Sequence, residues 1–140
     1  METEWQERFT VVVKCVYSVV LDAGNKMSEL REHLFETGEI TPFQFNTWPT
    51  ANRVSDAKAY VLNASIIRLC DMTNEVINVD YEPIVERSAV PVQFNNIKKC
   101  IEEMLVHVVS VEEEYNLDYM VLKTSMKTAV TRLETYLLEE

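Results

Sequence analysis

Apolar residues recur along this chain at alternating intervals of four and three, and they hold that rhythm for longer than a strand could use it. Phe9, Val13, Val16, Val20, Ala23, Met27, Leu30 and Leu34 fall on one side of a 3.6-residue helix for about three and a half heptads. The β-branched clusters Val11–Val13 and Val16–Val20 carry strand propensity. The spacing outruns a strand of roughly five or six residues, so it predicts one long helix from about Glu2 to Phe35. Gly38 stands where a C′ glycine would end that helix, and Pro42 forbids its continuation.

The same rhythm returns three times. Ser55 is a candidate N-cap with Asp56 behind it, followed by Ala59, Leu62, Ile66, Leu69, Thr73 and Val76, which predicts a second helix ending near Asn78. Phe94, Ile97, Ile101, Met104, Val108, Val111 and Tyr115 define a third, and Tyr119, Leu122, Met126, Ala129, Leu133 and Tyr136 a fourth. The fourth register is shifted by one position at Asn116-Leu117-Asp118. That shift fits a tight turn with Asp118 as N-cap, in preference to a bend within one helix of about 45 residues. The chain holds two glycines and four prolines, and the prolines fall in two windows, Pro42 with Pro49 and Pro83 with Pro91. The expected fold is therefore all-α: one domain over 1–140, an antiparallel bundle of about four long amphipathic helices joined by two long Pro-containing loops. Val16, Val20, Ile101, Met104, Val108 and Leu133 are expected in the core.

Charge and cysteine usage bound the partners. With 23 acidic against 13 basic side chains the net charge is −10, a field that repels nucleic-acid phosphates and anionic lipid. No stretch of about 18 apolar residues exists, so neither a membrane span nor a signal peptide is expected. Cys15, Cys70 and Cys100 are widely separated, odd in number and set in apolar helical patterns, which suggests small hydrophobes in a reducing, cytoplasmic setting.

Catalytic and metal signatures do not assemble. Glu102, Glu103 and the run Glu112-Glu113-Glu114 invite a Mg²⁺ reading, but paired E-x-x-E and E-x-x-D spacings on facing helices are lacking, so a solvated helix face is expected. Glu103 to His107 is one residue longer than the E-x-x-H of di-iron bundles, and no second copy exists; His33 and His107 are expected at helix surfaces or boundaries. Two glycines 14 apart exclude a Gly-rich nucleotide loop. No catalytic residue, metal or cofactor is expected.

Phe43, Phe45 and Trp48 lie beside Pro42 and Pro49 in the first loop, where aromatics either plug the bundle end or anchor a partner. The stretch Leu62-Asn63-Ala64-Ser65, followed by Arg68-Leu69, resembles a helix of the four-helix focal-adhesion-targeting bundles of adaptor proteins. That resemblance covers under a tenth of the chain and implies a mode in which an amphipathic peptide helix docks between bundle helices. The expected function is a non-enzymatic interaction or regulatory module that binds another protein, or a second copy of itself, through an inter-helix groove or through Phe43, Phe45 and Trp48. The alternatives are a homo-oligomeric structural protein and a small acidic viral or phage-type inhibitor of a host protein.

Overall fold

Four amphipathic segments that each hide one stripe must share a core, and the computed structural model shows how they do so. It describes residues 2–38, 41–42 and 57–139, which are 84% helical. The helices are α1 (Glu2–Glu36), α2 (Ala57–Asn74), α3 (Val90–Tyr115) and α4 (Met120–Glu139). Each packs on two others, α1 and α3 both lying against α2 and against α4, so the bundle closes as a ring around one core. Ion pairs and hydrogen bonds reveal the directions. Arg8 pairs with Glu139 and Asp22 accepts from Ser125 across α1 and α4, while Lys98 pairs with Glu134 and Lys123 with Glu112 across α3 and α4. Numbers rise along one helix as they fall along its neighbour. An isolated bridge between Ile77 and Pro83 is the extent of β pairing among the described residues.

The expected registers of α3 and α4 hold in full through Val111 and from Tyr119, since each residue named for them is buried except the half-buried Tyr115. In α1 the core takes Val19, fully buried, where Val20 was expected; Val20 is half-buried at the margin. The physical reason is phase. Between Val16 and Ala23, either Val19 or Val20 satisfies an alternating spacing of three and four, and packing alone selects which one points inward. Trp5 and Val12 join the same stripe.

Helix ends follow local hydrogen-bond chemistry. Gly38 has φ +80 and its amide donates to the Phe35 carbonyl, as a C′ glycine does. Helix α2 ends at Asn74, one turn before the expected Asn78, because the Asn78 side-chain oxygen captures the Asp80 and Glu82 amides in a turn. Ser55 and Asp56 lie outside the described residues. Pro91 was expected in a loop and instead occupies the first turn of α3, where its missing N–H costs nothing.

The α3–α4 junction is a turn. Asn116 adopts φ 54, ψ 52, and its amide donates to the Glu112 carbonyl; Asp118 Oδ1 accepts from the Met120 amide at 2.9 Å, the N-cap role expected of it. Replacing Asn116 by Val should therefore cost about 1–2 kcal/mol, whereas Gly should be neutral or slightly stabilising. Urea denaturation of the two variants checks this; equal losses would show that the left-handed conformation does not constrain the position.

Candidate functional site

The described surface carries an apolar concavity between α1 and α4, and the sequence explains its position. Where α1 and α4 run side by side, α4 presents Thr124, Thr128, Thr131 and Thr135 at intervals of four, three and four, all of them exposed. Short side chains leave a gap that a Leu or Phe would fill. The opposite wall comes from Arg8, Val11 and Val12 of α1, with buried Tyr136 at the base; Val11 is 50% exposed. The resulting groove has a volume of about 710 Å³. The Arg8–Glu139 ion pair, 3.7 Å, closes the end where α4 finishes.

Threonines make this groove less polar than its composition suggests. The hydroxyls of Thr124, Thr131 and Thr135 donate to the carbonyls of Met120, Lys127 and Thr131 at 2.9–3.0 Å. A hydroxyl bonded back onto its own helix has its donor satisfied, so covering these three strands no unpaired O–H. The floor therefore desolvates cheaply. Lys127 and Arg132 also line the groove, and neither forms an ion pair with a carboxylate among the described residues.

A second concavity, about 470 Å³, is lined by Gln6, Glu7, Thr10, Tyr81, Glu82 and Pro83, and a third, about 230 Å³, lies between α3 and α4. Beside the second, the 78–84 turn is pinned on α1. Tyr81, at φ 60, has its ring edge-on to Tyr17 at 5.9 Å and under Lys14 Nζ at 5.2 Å, and its carbonyl accepts from Thr10. The Tyr17 hydroxyl donates to Asn74 Oδ1, and Asn74 Nδ2 donates to Cys70 Sγ at 3.6 Å. Burial, with Cys70 and Tyr81 nearby, pushes the Tyr17 phenol up, which keeps it a neutral donor. The cluster anchors a turn and assembles no nucleophile with a base.

The residues singled out from the sequence do not gather at one place. Phe43, Phe45 and Trp48 lie outside the described residues. His33 is exposed and His107 half-buried, both at helix surfaces. Cys100 is buried, its thiol facing the Ser65 carbonyl at 3.8 Å, whereas Cys15 and Cys70 are half-buried. No group of three or more His, Cys, Asp or Glu residues converges on a metal position among the described residues. Leu62 and Leu69, from the adaptor-like stretch, are core residues, and exposed Arg68 pairs with Glu103 of α3.

One acidic residue departs from the expected solvated face. The Glu112 side chain is 11% exposed; it accepts the Tyr119 amide at 2.6 Å and the Lys123 ammonium at 2.9 Å, tying the α3–α4 turn together. Above it, burial together with the Glu29 and Glu112 carboxylates pushes the Tyr119 phenol up to about 12. Sequence reasoning also missed the groove. Threonines at 4-3-4 spacing were the available signal, but they count as polar in any hydropathy pattern.

No helix among the described residues is long and apolar enough to cross a membrane. No protein-family model matches the chain, and neither a curated protein nor a solved structure matches it.

Proposed function

We propose that this chain is a non-enzymatic protein-interaction module that holds a partner in the groove between α1 and α4. The observation that carries the reading is the groove itself: an exposed concavity of about 710 Å³ in which three of the four threonine hydroxyls of α4 donate back onto their own helix. Apolar surface left open on a folded domain, with most of its hydroxyl donors internally bonded, is what a docking partner covers at low cost. The groove lies between two long, rigid helices, which limits the entropy lost on binding.

The test is affinity capture from the chain's native proteome, comparing the unaltered protein with a variant carrying Val11→Asp and Thr131→Arg. Both positions are exposed, so the melting temperature should stay within a few degrees while a specific partner is lost, at a cost of about 2 kcal/mol or more if the groove centre is a hot spot. A partner retained equally by the variant would move the binding surface away from this groove. A molar mass in solution well above 16.3 kDa would instead favour the homo-oligomeric alternative.

A further inference from the structure

The signs of charge around the groove point to the chemistry of what fills it. On a chain of net charge −10, most cations whose contacts are described are occupied: Arg8, Lys26, Arg68, Lys98 and Lys123 are in ion pairs, while Lys14 and Arg87 lie over aromatic rings. Lys127 and Arg132 are exposed at the groove and pair with no carboxylate among the described residues. Of the three concavities, this is the one whose lining is net positive, with Arg8, Lys127 and Arg132 against Glu7 and Glu139; the second holds Glu7 and Glu82, and the third Glu102 and Lys127.

Their angular positions sharpen this. At about 100° per residue, Lys127 and Arg132 fall on opposite sides of the stripe formed by Thr124, Thr128, Thr131 and Thr135. A cation therefore stands at each border of an apolar strip that runs along α4. Resting on the groove reading above, we propose that the occupant is an amphipathic helix with carboxylates along both borders of its apolar face. Its apolar side chains sit on the threonine methyls and Val11, and its flanking Glu or Asp residues pair with Lys127 and Arg132. The α4 segment lining the groove, Thr124 to Glu139, spans about 22 Å, so a helix of about 15 residues covers it. Lys99 of α3 is also exposed and outside any described ion pair, but it lines none of these concavities, so on a net acidic chain the two cations that border one apolar strip favour this site for such a ligand.

The experiment uses the full chain and a display library of helical peptides of about 15 residues. All share a Leu/Ala face, and the flanking positions are randomised over Glu, Gln and Lys. Backbone amide shifts locate where the selected peptides bind. The expected result is enrichment of Glu at both borders, shifts confined to α4 and the start of α1, and affinity about tenfold higher for the Glu-flanked than for the Lys-flanked peptide. The double variant K127E/R132E, with both changes on exposed positions and its fold checked by circular dichroism, should reverse that preference. Groove binding with Gln or Lys flanks, or a preference that K127E/R132E leaves unchanged, would overturn the acidic assignment while leaving the groove reading intact. If no peptide perturbs the groove, both readings fail. If dilution shows that the protein's own second copy occupies the groove, the acidic-helix assignment fails while the groove remains a docking surface.

Discussion

Replacing Phe94 by Ala should destabilise the fold by about 3–5 kcal/mol, the largest loss expected from any single core side chain. Phe94 opens the core register of α3 and is fully buried. Its ring stacks on Phe9 of α1 at 5.4 Å and 13°, and meets Tyr136 of α4 edge-on at 4.9 Å. Trp5 extends the group from Phe9, edge-on at 6.0 Å, and the Arg87 guanidinium lies over the Trp5 ring. One ring thus joins three helices at the end of the bundle where α1 and α3 begin and α4 finishes. Removing it leaves a void bordered by rigid aromatics, which collapse into space poorly, so the cost should sit toward the upper part of that range. Thermal unfolding should show a fall on the order of 10 °C. A loss under about 1 kcal/mol would mean the aromatic cluster does not hold the helices together.

The second large effect should come from Glu112, and it should separate sharply from its neighbour. Glu112→Ala removes the acceptor for the Tyr119 amide and the partner of Lys123 at once, within a site where the carboxylate is 11% exposed. Stranding an amide and a half-buried ammonium should cost about 2–4 kcal/mol. Glu113→Ala, one residue along and exposed, should change stability by less than about 0.5 kcal/mol. Glu112→Gln keeps an acceptor for the amide while losing the charge, and should fall between the two. Urea midpoints for the three variants give the comparison; equal effects at 112 and 113 would show that the Glu112 contacts contribute little to the turn.

Both effects bear on the groove. The aromatic junction fixes the end of α1 that carries Val11, and the Glu112 contacts fix where α4 starts, hence how the threonine stripe lies beside α1. A variant weakened at either place should lose partner affinity along with stability. Val11→Asp with Thr131→Arg should lose affinity alone, because those positions are exposed.

Much of this architecture is present in the sequence because helical periodicity is a local property. The spacing from Phe94 to Val111 and from Tyr119 to Tyr136 specifies which face of α3 and α4 is apolar without knowing what covers it. Asp118 and Gly38 mark helix ends through bonds to amides and carbonyls only a few residues away. Two kinds of feature required the folded chain. The first is any choice between adjacent residues that fit the period equally well, as with Val19 and Val20, where the neighbouring helices decide which side chain is enclosed. The second is any feature made by residues distant in sequence. Glu112 reads as one glutamate among several until the turn places the Tyr119 amide against it. Val11 and Thr131 form one groove only because α1 and α4 run antiparallel in contact. Three of the four threonines there lose their free donor only because their hydroxyls bond back onto the helix, a hydrogen-bonding outcome that composition cannot report. Residue spacing alone specified four amphipathic helices and most of their ends; the packing of α4 on α1 settled where the surface stays open and which charges border it.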